Sequence, residues 1–141
     1  MYGMNRENRE GLEERKLSKN DWCNLLSISH RYECESARER SIKEINKLDP
    51  PIDSTDKIVM AKKFEVEEWL LPACVALVER HSPLTYVEAQ KLGMDMTVLL
   101  SEVREKRIQR QRSGLYNSYN SYGQQPNKDI GQLVKEVLHI K

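Results

Sequence analysis

Val66, Trp69, Leu70, Ala73 and Leu77 recur at the i, i+3, i+4, i+7, i+11 spacing of one helix face. This stripe anchors the stretch from Phe64 to Gly93 and commits it to helix. Pro72 lies inside the stripe. Proline lacks an N–H and is tolerated in the first turn of a helix. The spacing therefore predicts either a helix starting near Leu71 after a turn over Glu67 to Leu70, which is preferred, or a helix kinked at Pro72. His81-Ser82-Pro83-Leu84 breaks the pattern. Thr85 with Glu88 three residues on is a capping box, so a second helix starts there. Val87, Ala89 and Leu92 give that helix a buried side, and Gly93 suits the left-handed residue that stops it.

The flanks extend the same grammar. Ser18 is an N-cap with Asp21 three residues on. Trp22, Leu25, Leu26, Ser29 and Tyr32 then share a face, which marks Trp22, like Trp69, for core packing. Ala37, Ser41, Ile45 and Leu48 form the next stripe, where the small residues allow close helix approach. Asp49-Pro50-Pro51 ends it. Asp53 or Ser54 caps a third helix running to about Phe64. Met94 or Asp95 opens a long helix whose stripe is Met96, Leu99, Leu100 and Val103. It is expected to leave the core near Val103 and to reach about Arg112 in solvent. Phe is single and β-branched runs are short, which argues against a sheet. The expected fold is all-α, a small bundle of about six helices over residues 18–112.

Three further segments surround it. Residues 1–17 are charged, without an apolar stripe, and read as a mobile arm. Residues 113–127, SGLYNSYNSYGQQPN, are low-complexity and expected to be disordered. Residues 128–141 hold Ile130, Leu133, Val134, Val137 and Leu138 on one face of a short, separate amphipathic helix. So short a helix is marginal alone, so this face is a candidate for a partner helix.

Composition narrows function chiefly by exclusion. A net charge of +1 over 141 residues points to neither a nucleic-acid nor a membrane partner. Cys23, Cys34 and Cys74 contain no CxxC pair and read as thiols in a reducing compartment. No apolar run approaches the roughly 18 residues of a membrane span, and residues 1–16 lack the apolar core of a signal peptide. An intracellular protein, cytoplasmic or nuclear, is expected. His30, His81 and His139 lie on separate elements, and no phosphate-cradling, hydrolase or zinc motif is present. No catalytic, cofactor-binding or metal-ligating residue is assigned, so the chain is read as non-enzymatic. One segment stands out by charge. Arg104, Lys106, Arg107, Arg110 and Arg112 face a single acid, Glu105, and lead towards Tyr116, Tyr119 and Tyr122. Cations interleaved with aromatics can grip single-stranded nucleic acid. The plainer reading, a solvated helix end favoured by its dipole, ranks first.

The residues from Asp21 to Lys106 resemble the helical segment that follows the BTB/POZ core in a large group of fungal BTB-domain proteins. The resemblance rests on an ordered series. It runs through Trp22 with Leu25-Leu26, Tyr32-Glu33 with Ala37-Arg38, and Ser41-Ile42 with Ile45. It continues through Asp56-Lys57-Ile58-Val59 with Ala61, and through Val66-Glu67-Glu68-Trp69-Leu70 with Pro72-Ala73 and Leu77-Val78. Pro83-Leu84-Thr85, Glu88-Ala89, Leu92-Gly93 and Arg104-Glu105 complete it. The resemblance implies a truncated BTB-like chain, since residues 1–17 are too short to hold the αβ core. Dimerisation and cullin binding belong to that core and are not carried over. What the resemblance does imply is a scaffold role, with a protein as partner or a second copy of the chain.

Overall fold

A computed structural model of the chain describes residues 16–116 and 126–140, with backbone alone at 114–116 and 126–129. The protein is all-α: the described residues form seven helices and no strand. The six helices expected over 18–112 and the closing helix are all present. They do not form one domain over 18–112. The chain divides after Pro51 into two compact units, at the point where Pro50 and Pro51 withhold two N–H donors from any continuing helix. Most of the arm expected at 1–17, and residues 117–125 of the low-complexity segment, lie outside the described residues.

The first unit is a hairpin of α1 (Lys19–Arg31) and α2 (Glu35–Asn46). Ser18 and Asp21 close the expected capping box: Asp21 N–H donates to Ser18 Oγ at 3.2 Å, and Ser18 N–H donates to Asp21 Oδ2 at 2.8 Å. The Ser18 hydroxyl, which donates to Asp21 Oδ2 at 2.7 Å, and then the Ser18 amide hold the Asp21 carboxyl below its usual range. Glu33, at φ 54°, turns the chain between the helices. Leu26 and Ile45 are buried beside Ser29 and Ser41. Each buried hydroxyl donates back to its own helix, Ser29 to Leu26 C=O at 3.0 Å and Ser41 to Ala37 C=O at 2.7 Å. Both serines thus pack as small residues with no unsatisfied polar group. Trp22 is only half-buried and Tyr32 is exposed, so the first stripe contributes less core than its spacing suggests.

In the second unit, Asp53 caps α3 (Ser54–Lys63) by accepting from Thr55 N–H at 3.0 Å. Phe64 follows, then Glu65 at φ 55°, and α4 (Glu67–Glu79) begins at once. The start expected near Leu71 is therefore displaced to Glu67, and Pro72 sits within the helix. The bond it forfeits is the one to Glu68 C=O, and both residues are exposed, so water can take that carbonyl. α4 buries Trp69, Ala73, Cys74, Leu77 and Val78, while Leu70 is half-exposed. Lys57 Nζ sits 5.2 Å from the Trp69 ring centroid, at cation–π range.

Thr85 and Glu88 form their capping box at the start of α5 (Tyr86–Leu92). Gly93, at φ 83° and ψ 164°, is the single residue between α5 and α6 (Met94–Tyr116). The stripe of α6 buries Met96, Leu100 and Val103. The helix runs four residues past the expected end at Arg112. α7 (Pro126–Leu138) closes the unit. Its Ile130, Leu133, Val134 and Val137 join Ile58, Cys74, Leu77, Val78, Leu100 and Val103 in one core, with Leu138 packed against it. The face expected to await a partner helix is thus filled by the chain itself, from α4 and α6. This helix is not separate. Four buried apolar side chains offset the ordering of a helix too short to persist alone.

Candidate functional site

The basic segment is taken apart by the fold. α4 carries no cation in its own last turn, so its final carbonyls and the negative end of its dipole lack an internal partner. Two arginines of α6 supply it. Arg104 donates to Leu77 C=O and Arg80 C=O, each at 3.1 Å, and to His81 C=O at 3.4 Å. Arg107 donates to Val78 C=O at 2.9 Å. Both are half-buried. Lys106 pairs with Glu102 at 2.7 Å, and Arg110 lies 3.9 Å from Glu136. Arg112 is exposed. Tyr119 and Tyr122, the aromatics placed beside these cations, lie outside the described residues. α6 therefore does not leave the core cleanly at Val103. Its next turn ties down the end of α4.

A second arginine knot holds the connection from α4 to α5. Arg80 grips Glu88 end-on, Nη1 to Oε1 at 2.6 Å and Nη2 to Oε2 at 2.5 Å. It also donates to Ser82 C=O at 3.3 Å and Pro83 C=O at 3.0 Å. Glu88 in turn accepts from Thr85 N–H at 2.7 Å. The Arg80 guanidinium, and then the Thr85 amide, hold the Glu88 carboxyl down to about 2. The same pairing raises Arg80 above its ordinary value. No sequence motif marks Arg80. The signal for its role is its place one residue beyond α4 and eight before the capping glutamate, a spacing that a tight connection closes.

Candidate chemistry elsewhere is sparse. Cys74 is fully buried, and burial pushes its thiol up to about 12. Cys23 is half-buried, and its thiol is raised by the same cause. Cys34 is exposed at the start of α2. Among the described residues no group of three His, Cys, Asp or Glu side chains is placed to hold a metal ion. No described helix is long and apolar enough to cross a membrane. A cleft of about 620 Å³ lies between the start of α4 and the end of α7, lined by Leu70, Leu71 and Ile140 with Glu67, Lys135 and His139. A second, of about 600 Å³, lies on the first unit beside Trp22 and Leu48, with Arg40 and Lys47 at its wall. In the latter, Arg40 and Lys47 both pair with Glu44, at 3.2 and 3.5 Å, which neutralises part of its charge.

Large exposed apolar side chains fall in the first unit at Leu17, Ile28 and Tyr32, late in α6 at Ile108, and in one group on α5 and the start of α6. Tyr86, Val87, Met94 and Val98 are 77%, 59%, 82% and 58% exposed, all within α5 and the first turns of α6. On α6, Met96 and Leu100 are buried while Met94 and Val98 are not; on α5 no residue is fully buried, and Val87, expected on its buried side, is exposed, leaving Leu92 to pack against the core. The chain finds no match among protein-family models, curated proteins or solved structures.

Proposed function

We propose that the chain is a non-catalytic protein–protein interaction or scaffold module, of the kind its resemblance to the helical part of fungal BTB-domain proteins implies. The exposed apolar set on α5 and α6 carries this reading. Tyr86, Val87, Met94 and Val98 contribute nothing to the core, and covering them would recover about 25 cal/mol for each Å² removed from water. Large apolar side chains left exposed on two consecutive helices are a feature that interaction surfaces carry. Arg80, Glu88, Arg104 and Arg107 are committed to holding the end of α4 and the connection to α5.

Binding of an apolar fluorescent dye, with sedimentation analysis in parallel, tests the proposal. The wild-type chain should bind the dye or self-associate, and Tyr86→Ser with Met94→Ser should remove most of that signal without unfolding the chain. A monodisperse wild-type monomer that leaves the dye dark refutes it. The nucleic-acid alternative at 104–112 has less support, since Arg104 and Arg107 already serve backbone carbonyls. Absence of oligonucleotide binding at low salt, where phosphate contacts are strongest, eliminates it.

A further inference from the structure

We propose that Ser82 is a phosphorylation site for a proline-directed serine/threonine protein kinase, and that Arg80 and Arg104 receive the phosphate. Of the five prolines in the chain, Pro83 is the one preceded by a serine or threonine. Ser82 and Pro83 are both exposed and lie between α4 and α5, outside any helix. A following proline steers its predecessor away from helical backbone and towards extended conformations, the form in which a chain segment lies along an enzyme cleft.

The connection is held by side chains. Arg80 holds the Ser82 and Pro83 carbonyls, and Arg104 holds those of Arg80 and His81. Such straps can open without disturbing a helical ladder, so the segment can be presented to a kinase while α4 and α5 stay formed. In the transfer, Ser82 Oγ bonds to the γ-phosphorus of ATP. The bond from that phosphorus to the ADP oxygen breaks, and the hydroxyl proton goes to the base of the kinase.

The product carries a charge of about −2 on a residue whose own carbonyl Arg80 holds, next to His81, whose carbonyl Arg104 holds. Both arginines now spend N–H donors on neutral carbonyls at or near Ser82, Arg80 on those of Ser82 and Pro83 and Arg104 on those of Arg80 and His81. A phosphate oxygen is a stronger, charged acceptor for the same donors. The Glu88 carboxylate already faces Arg80, and Glu79 is half-buried at the end of α4. Arg80 keeps Glu88 through its end-on grip and exchanges the carbonyl bonds for phosphate bonds. The site therefore accepts the new charge where an isolated acidic loop would repel it.

The test uses the full chain, ATP and a proline-directed serine/threonine kinase, read by intact mass and peptide mapping. One phosphate on the peptide containing Ser82 is expected, absent from Ser82→Ala and strongly reduced in Pro83→Ala. Failure to incorporate phosphate at Ser82, or equal incorporation into Pro83→Ala, overturns the assignment. Phosphorus NMR of the modified chain then tests the receiving pair. Held by Arg80 and Arg104, the phosphoserine should lose its second proton below its ordinary value of about 6. A titration at or above that value overturns the role given to the two arginines.

Discussion

Glu88→Gln tests the arginine knot most directly. Glu88 ends two chains of bonds, one to the Arg80 guanidinium and one to the Thr85 amide. A carboxyl held at about 2 against an ordinary 4.5 corresponds to roughly 3 kcal/mol at 1.36 kcal/mol per pH unit. That is a ceiling. The Arg80 and Glu88 side chains are 28% and 17% exposed, so solvent screens part of the attraction. Glutamine also retains one acceptor for Thr85. The expected loss at neutral pH is about 1 to 2 kcal/mol, measured by urea denaturation. The second unit spans Ile52–Lys141, and for a unit of that size the loss lowers Tm by roughly 5 to 10 °C.

The pH dependence makes this test sharp. The folded Glu88 carboxyl binds its proton more weakly than the unfolded one. Its contribution is therefore fully present above about pH 4.5 and is lost as pH falls towards 2. The stability gap between wild type and Glu88→Gln should be widest near neutrality and should close through that window. A gap that stays constant with pH, or one below about 0.5 kcal/mol at pH 7, means that the end-on pair contributes no more than an ordinary surface ion pair.

Three other expectations follow from the core and its thiols. Leu133→Ala, on a residue 1% exposed in α7, should cost about 2 to 4 kcal/mol in urea denaturation; a loss within 0.5 kcal/mol, about the surface-substitution range, means α7 does not complete the core. Thr55 Oγ1 is buried without a hydrogen-bond partner, so Thr55→Val should leave thermal stability unchanged or raise it by about 1 kcal/mol. An aromatic disulfide reagent should modify exposed Cys34 in the native chain and reach Cys74, whose thiol is buried and raised to about 12, only on unfolding; equal rates would contradict its burial.

Local signals in the sequence were read at the right residues. Ser18 with Asp21, Asp53, and Thr85 with Glu88 each cap the helix their spacing indicates, because a cap depends on neighbours two or three positions away. Gly93 stops α5 for the same reason. Features set by distant partners were not legible. Arg104 and Arg107 sit 23 to 29 positions from the carbonyls they serve, and a run of cations has the same composition whether it faces water or a helix end. The apolar face of α7 was visible, but its destination was not, since a stripe of Ile130, Leu133, Val134 and Val137 specifies burial and not the surface that provides it. Pro72 misled because its cost depends on whether the orphaned Glu68 carbonyl meets water, which only the packing of α4 decides.

Gly93 has a consequence of handedness. Nothing lies within 4 Å of the place an L-residue's Cβ would occupy there, so an L side chain at the junction between α5 and α6 would meet no clash. What the junction lacks is tolerance for an L-residue, since φ 83° with ψ 164° is a region reserved almost wholly to glycine. Reflected, those angles fall among the extended conformations that L-residues favour. A D-alanine placed at 93 by chemical ligation would sit in its own preferred basin, and it would restrict the unfolded chain where glycine leaves it free. The mirror-image residue should therefore stabilise a turn that L-alanine would strain.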